Sequence, residues 1–99
     1  MALIPWALCG ATLAAGEIEK NFVNPPDSAR PGVYWYFLNG NLNAKEMTAD
    51  LESMKAAGLG NLVFLEVDIG SPPAGPVKFM SPNWQELFVQ SVRDAERLG

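Results

Sequence analysis

Two apolar runs separated by a helix-length stretch limit this chain to a small number of folds. Residues 33–39 read VYWYFLN and residues 61–70 read NLVFLEVDIG. Neither run shows the polar alternation of a strand with one face in water. Unbroken runs of β-branched, aromatic and aliphatic residues are typical of strands that are covered on both faces. Each run therefore predicts a buried strand.

The stretch between these runs has the signals of a helix. Asn43, followed three positions later by Glu46, predicts a capping box at the amino end. An apolar stripe at helical spacing and a glycine suited to a left-handed stop follow it: Met47, Leu51, Met54 and Gly58. Two strands joined through a helix are expected to be parallel, with a right-handed crossover.

A second helix is predicted after the loop of residues 71–80. Ser81 is a suitable cap and Pro82 is suited to the first helical position. The side chains expected on the buried stripe of this helix are Trp84, Phe88, Ser91 or Val92, Ala95 and Leu98. The predicted order is strand, helix, strand, helix, which places the chain in the α/β class.

Two helices cannot cover both faces of a parallel strand pair, so we expect the chain to be the opening portion of a larger fold, truncated at Gly99. The candidates are an open doubly wound sheet and an eight-stranded barrel. A nucleotide-binding open sheet needs a glycine-rich turn directly after its first strand, where this chain has only Gly40. The sequence therefore favours residues 32–99 as the first two βα units of a truncated (β/α)8, TIM-like barrel.

The amino-terminal residues differ in character from the rest. Residues 2–16 carry no charge and end in small residues, as in a secretory signal, although no basic residue precedes them. We expect residues 1–16 to be a signal peptide of an exported protein, periplasmic or extracellular, in preference to a loosely ordered apolar terminus. This run is too short to span a bilayer. The proline-rich residues 17–31 are predicted to be a linker.

Charge and composition exclude several functions. The 99 residues include 7 basic and 11 acidic ones and no histidine. The basic residues are scattered, so no nucleic-acid partner is expected. Without imidazole, acid–base chemistry in this segment must rest on carboxylates.

Carboxylates and an amide stand at the carboxyl ends of the predicted strands, where barrel enzymes keep their active sites. Residues two apart share a strand face, which separates the set Leu62, Phe64, Glu66 and Asp68 from the set Val63, Leu65 and Val67. We expect the wholly apolar set to face the helices, so that Glu66 and Asp68 point into a pocket. The alternative is that both carboxylates lie past the covered part of the strand and meet water.

These side chains suit a sugar. Asn39 ends the first strand on the same face as Trp35, and together they offer a ring for C–H groups and an amide for hydroxyls. The alternative is that the aromatic residues 34–37 only fill the core. Glu66 and Asp68 lie on one wall, whereas acid and base must flank a glycosidic bond, so they better suit sugar hydroxyls or a calcium ion. Lys78 and Phe79 lie in the long loop on the same rim, as a pocket wall or a flexible cover.

Three stretches in order resemble the start of the catalytic domain of glycoside hydrolase family 106, the α-L-rhamnosidase-like enzymes: RPGVYWYFLNGNL, MTADLESMKAAGLGNLVFLEVDIG and GPVKFMSPNWQELF. The resemblance covers Phe22 to Gly99. It implies an exported multidomain enzyme with a (β/α)8 barrel that hydrolyses terminal α-L-rhamnosyl linkages, in plant polysaccharides or rhamnosylated glycosides, with inversion.

The resemblance also bears on the site. It places Trp35, Asn39, Glu66 and Asp68 in the substrate or metal pocket, makes calcium a reasonable cofactor, and implies that the catalytic acid and base lie downstream of Gly99. This chain alone would then be inactive. Two further hypotheses are a non-catalytic carbohydrate-binding relative of the same barrel and an independent small α/β adaptor.

Overall fold

The computed structural model describes residues 16–99, which form two compact units. The first unit ends at Arg30 and the second spans Pro31–Gly99. In the first unit residues 16–23 are helical and a 3-10 turn spans Asp27–Ala29. The stretch predicted as a linker therefore contains helical structure. Apart from Gly16, the predicted signal peptide lies outside the described residues.

The second unit alternates strands and helices. Its elements are β1 (Gly32–Leu38), α1 (Ala44–Ala56), β2 (Asn61–Val67) and α2 (Pro82–Leu98). The two strands pair in parallel, with Gly32 opposite Asn61 and Leu38 opposite Val67. The predicted order and the parallel pairing are confirmed. None of the helices within residues 16–99 has both the length and the apolar character needed to cross a membrane.

Local signals decide where the helices begin and end. The side chain of Asn43 accepts two first-turn amides of α1, at 3.0 and 3.2 Å. The hydroxyl of Ser81 accepts the amide of Trp84 at 3.3 Å at the start of α2. Such caps contribute about 1 kcal/mol each. Gly58 adopts a φ of 85°, which gives the left-handed stop after α1.

One hydrophobic core lies between one face of the sheet and the two helices. Its buried members are Trp35, Phe37, Leu42, Met47, Leu51, Val77, Trp84 and Leu87. Trp35 packs edge-on against Phe37 and Phe64, with ring centroids 4.7 and 5.7 Å apart. Burial of a large apolar side chain contributes about 1.5–3 kcal/mol, so this cluster is the main source of stability in the unit.

The buried stripe of α2 differs from the predicted one. Trp84, Leu87 and Ser91 are buried, whereas Phe88 is 37% exposed and Val92 54% exposed. Ser91 satisfies its hydroxyl by donating to the Phe88 carbonyl oxygen at 2.7 Å, so it needs no partner across the core. Of the two alternatives predicted for this position, the structure buries Ser91 and leaves Val92 exposed.

A polar network joins the exposed edges of α1 and α2. Thr48 donates its hydroxyl to Asp94 at 2.7 Å, and Gln90 donates to the Thr48 hydroxyl at 3.1 Å. Arg97 bridges to Asp94 and to Glu52, each at 3.1 Å. The hydrogen bond from Thr48 is the largest cause that lowers the pKa of Asp94, and the Arg97 guanidinium lowers it further. The bonds to Asp94 and Glu52 raise the pKa of Arg97.

Within residues 16–99 the two helices cover only one face of the strand pair, as expected, and cover of the other face by a larger fold stays a prediction. On the face away from the helices, Tyr34 is 66%, Tyr36 56% and Val63 51% exposed. The two tyrosine rings contact each other at 5.8 Å. Only the opposite face of the sheet packs against α1 and α2.

Candidate functional site at the carboxyl ends of the strands

The carboxyl ends of β1 and β2 lie side by side. Leu38 is the register partner of Val67, and the Asn39 amide extends the ladder by donating to the Val67 carbonyl oxygen at 2.9 Å. The polar residues that follow the strands, Asn39 and Asp68, therefore leave the sheet at the same edge, as the parallel arrangement requires.

Asn39 turns the chain at this edge and binds the long loop of residues 68–80. Its backbone has a φ of 52°, in the left-handed region that asparagine tolerates better than most residues. Its side-chain amide donates to the Pro72 carbonyl oxygen at 2.9 Å. Its own carbonyl oxygen accepts the Gly75 amide at 2.8 Å. Asn39 is thus a point of attachment for the loop.

Asn41 strengthens this attachment from the other side of the turn. Its side-chain amide donates to the Leu38 carbonyl oxygen at 2.8 Å and to the Pro73 carbonyl oxygen at 3.2 Å. The loop is therefore held against the end of β1 by two asparagine side chains as well as by backbone hydrogen bonds.

Two glycines allow this close approach. The Gly40 carbonyl oxygen accepts the Val77 amide at 3.2 Å. A Cβ on Gly40 would collide with the carbonyl oxygen of Val77, and one on Gly75 would collide with the carbonyl oxygen of Gly40. Gly40 also has a φ of 75°. The loop can lie here only because neither residue has a side chain.

Asp68 lies at the exposed end of β2. One of its carboxylate oxygens accepts the Gly70 amide at 3.0 Å, which forms a local turn and ends the strand at Val67, earlier than predicted. The carboxylate stays exposed. It is available to accept hydrogen bonds from a ligand at the strand ends.

The predicted orientation of Glu66 is wrong. Leu62 and Phe64 pack against the core beneath the helices, and the Glu66 carboxylate accepts the indole N–H of Trp84 on α2. Leu62, Phe64 and Glu66 are therefore the β2 residues that face the helices. Val63 lies on the opposite face of the sheet, here called the open face, together with Tyr34 and Tyr36 of β1. A carboxylate is tolerated on the core side because the indole is its partner.

Trp35 lies on the same side as Glu66. It is 5% exposed, and its indole N–H donates to the Asp50 carboxylate of α1 at 3.0 Å. The structure therefore separates the four predicted pocket residues into two groups. Asn39 and Asp68 lie at the carboxyl ends of the strands, here called the open edge. Trp35 and Glu66 each form a hydrogen bond that joins a strand to a helix. Contact of Trp35 and Glu66 with a ligand stays a prediction.

The long loop supplies the other exposed groups at this edge. Lys78 and Phe79 are both exposed, and the Phe79 ring meets the Trp84 ring edge-on with centroids 5.1 Å apart. The sequence pointed to both residues but not to this contact. It missed the exposed tyrosines Tyr34 and Tyr36, whose phenol groups are the signal that could have assigned them to a face outside the core.

The residues do not make a complete calcium site. Calcium takes about six to eight oxygen ligands. Residues 16–99 contain no group of three or more aspartate, glutamate, histidine or cysteine side chains placed to share an ion. Calcium therefore stays a prediction, and no chemistry at this edge is derived from it.

A parallel strand–helix repeat with polar groups at its carboxyl edge is the arrangement on which many α/β enzymes build their sites. The comparisons with known proteins make this class more specific. The sequence profile of glycoside hydrolase family 106, described as alpha-L-rhamnosidase, matches residues 23–99. The chain belongs to this family, and the predicted family is confirmed.

Individual proteins that resemble the chain include a curated relative and a solved structure. A protein of Formosa agariphila named "Putative beta-glucuronidase" is 40% identical over 83 residues, which are 84% of this chain and 7% of that protein. The solved structure of a rhamnosidase from Novosphingobium sp. PP1Y aligns with a TM-score of 0.74 and 35% identity, over 81% of this chain and 8% of that one. The chain thus spans less than a tenth of the length of either relative.

Proposed function

We propose that the protein containing this chain is an exported, inverting α-L-rhamnosidase that acts on rhamnosylated glycosides or plant polysaccharides. The observation that supports this most directly is the family match over residues 23–99, together with the likeness to a rhamnosidase structure. In this proposal β1–α1–β2–α2 is the first quarter of a (β/α)8 barrel. The open face with Tyr34 and Tyr36 then faces the barrel interior.

The two carboxyl groups that the reaction needs are proposed to lie on other strands of the barrel. An inverting enzyme uses an acid that protonates the leaving oxygen and a base that takes a proton from the attacking water, on opposite sides of the sugar. Glu66 points to the helices and is occupied by Trp84, so it does not form such a pair with Asp68. Neither residue is therefore assigned to the acid or the base.

Asp68 is proposed to bind hydroxyl groups of the sugar. An exposed carboxylate at the end of a barrel strand accepts hydrogen bonds from hydroxyls, and such charge-assisted bonds contribute about 1.5–3 kcal/mol. Asn39 keeps the loop beside Asp68 through its bond to Pro72. In this proposal Trp35 and Glu66 act through the helices that they hold.

A matched pair of substitutions tests the role of Asp68. Asp68→Asn keeps the oxygen that accepts the Gly70 amide and removes the charge, whereas Asp68→Ala removes both. We expect Asp68→Asn to raise KM for 4-nitrophenyl α-L-rhamnopyranoside about tenfold in the protein made from the complete coding sequence. Hydrogen exchange of the loop should not change. Glu86→Gln removes an exposed charge on α2 and is the control. An unaltered KM in Asp68→Asn would remove Asp68 from the sugar site.

A β-glucuronide hydrolase is the second candidate, because the Formosa agariphila relative carries that name. A glucuronide is an anion and needs cationic groups at its carboxylate. At the strand ends described here, the loop of residues 68–80 contains Asp68 and the single cation Lys78. The neutral rhamnoside therefore fits this edge better. Parallel assays with 4-nitrophenyl α-L-rhamnoside and β-D-glucuronide decide between them, since hydrolysis of the glucuronide alone would exclude the first proposal.

A further inference from the structure

One large apolar side chain in the long loop is exposed and yet held in place. Phe79 is 60% exposed, whereas Val77, two residues earlier, is 3% exposed and anchored by its amide on Gly40. On the other side, the Ser81 amide donates to the Lys78 carbonyl oxygen at 3.0 Å and closes a turn around Phe79. The backbone that carries the ring is therefore fixed on both sides.

The residue after Phe79 adds to this restraint. Met80 has a φ of 59°, an uncommon backbone conformation for a residue other than glycine, asparagine or aspartate. Its carbonyl oxygen accepts the side-chain amide of Gln85 at 2.9 Å, which ties the turn to the first part of α2. Left-handed residues outside glycine persist only where the surrounding structure holds them.

The Phe79 ring itself rests on a buried support. It meets Trp84 edge-on at 5.1 Å, with an angle of 73° between the ring planes. Trp84 is 9% exposed, stacks on Phe88 at 5.3 Å with an interplanar angle of 7°, and donates its indole N–H to Glu66. Glu66, which the sequence predicted to point into the pocket, thus orients the Trp84 ring on which the exposed Phe79 ring rests.

A rigid exposed ring beside the carboxyl ends of barrel strands is suited to an apolar sugar face. Rings of this type gain from contact with C–H groups without losing much conformational entropy, because phenylalanine has only two rotatable side-chain bonds. α-L-Rhamnose has a methyl group in place of the usual hydroxymethyl group, so it presents more apolar surface than most hexoses. The loop that carries Phe79 is bound to the end of β1, next to Asp68.

We propose that Phe79 is the aromatic platform against which the terminal sugar packs, and that Glu66 is a positioning residue that acts on it through Trp84. This inference rests on the proposed function and deepens it. It replaces Trp35, which is buried against α1, as the ring that contacts the substrate.

The test uses the protein made from the complete coding sequence and 4-nitrophenyl α-L-rhamnopyranoside. Phe79→Ala is expected to raise KM about tenfold, the effect of one aromatic contact, while kcat changes less than about twofold. Phe79→Tyr keeps the ring and should restore the wild-type KM. Val92→Ala removes an apolar side chain of similar exposure, 54%, from α2 and is the control.

Glu66 is tested with its own pair. Glu66→Gln keeps an oxygen that accepts the Trp84 indole N–H, so its KM should stay within about twofold of the wild type. Glu66→Leu removes the acceptor and should raise KM about as much as Phe79→Ala, without a matching fall in kcat. Equal KM values for the two Glu66 variants would overturn the positioning role.

The outcomes separate this inference from the proposed function. A KM for Phe79→Ala within about twofold of the wild type, or a rise shared by Val92→Ala, overturns the platform while leaving the rhamnosidase proposal in place. If the wild type does not hydrolyse the rhamnoside, the proposed function fails, and binding of L-rhamnose by saturation-transfer NMR tests the platform alone. A signal lost in Phe79→Ala then supports it, and an equal or absent signal in both proteins overturns it.

Discussion

The close contact between the end of β1 and the long loop makes Gly75→Ala the most informative substitution. A Cβ at this position would collide with the Gly40 carbonyl oxygen, so the loop must move away from the strand. That movement breaks the Gly75 bond to Asn39, at 2.8 Å, and the Val77 bond to Gly40, at 3.2 Å. At about 1 kcal/mol for each hydrogen bond, the free energy of local opening should fall by about 2 kcal/mol.

Two other glycines isolate the cause. Gly70→Ala also puts a side chain in this loop, at a φ of 74°, but its Cβ would meet nothing within 4 Å. Gly70→Ala should therefore cost only the backbone strain of a left-handed alanine, about 1–2 kcal/mol, and this should destabilise the loop only near residue 70. Gly40→Ala combines a φ of 75° with a collision against Val77 and should be the most damaging.

Hydrogen exchange followed by mass spectrometry on the complete protein measures these effects locally. A loss of about 2 kcal/mol corresponds to roughly thirtyfold faster exchange of the Gly75 and Val77 amides. Gly70→Ala should leave the exchange of these two amides unchanged. If these two amides exchange in Gly75→Ala within about threefold of the wild-type rate, the loop is not held against β1 as described. The same conclusion follows if they exchange as fast in Gly70→Ala as in Gly75→Ala.

Two further predictions concern the bonds between strands and helices. Asp50→Ala leaves the buried Trp35 indole N–H without its acceptor, so the amides of β1 should exchange faster by the equivalent of about 1–3 kcal/mol, whereas Asp50→Asn keeps an oxygen and should behave as the wild type. Because the pKa of Asp94 is lowered from its usual 3.8, its stabilising contribution is complete above that pH and is lost as the pH falls through the lowered pKa. Thr48→Val removes the largest cause of the lowered pKa, so the α2 amides should lose their protection from hydrogen exchange at a higher pH than in the wild type. Pulsed hydrogen exchange after incubation between about pH 2 and pH 5 measures this shift. The same pH dependence in both proteins would show that the Thr48 hydrogen bond does not act on Asp94.

Local patterns in the sequence predicted most of the elements correctly. A cap such as Asn43 or Ser81 acts on amides two or three residues away, and Gly58 acts on its own backbone, so these signals need no information from distant residues. The parallel pairing followed from the length of the connection, since a helix between two strands leaves few other arrangements. The family likewise could be predicted from three stretches of sequence.

Alternation along β2 separated its residues into two faces but could not decide which face the helices cover. The apolar set was expected beneath the helices because a carboxylate is costly in a core. Glu66 avoids that cost with an indole that lies 18 residues further along the chain, and Trp35 finds its acceptor 15 residues away. Such partners are set by how the helices pack, which no single segment specifies.

The sequence by itself therefore determined the strands and helices of the second unit, their order and the family, because these depend on spacing, capping and composition within short segments. Only the tertiary structure decided which polar groups reach the open edge. Asn39 binds Pro72 across 33 positions, and two glycines allow the loop to lie against β1. Contacts of this kind depend on the path of the whole chain, which is why Asn39 and Asp68 lie at the edge while Trp35 and Glu66 lie beneath the helices.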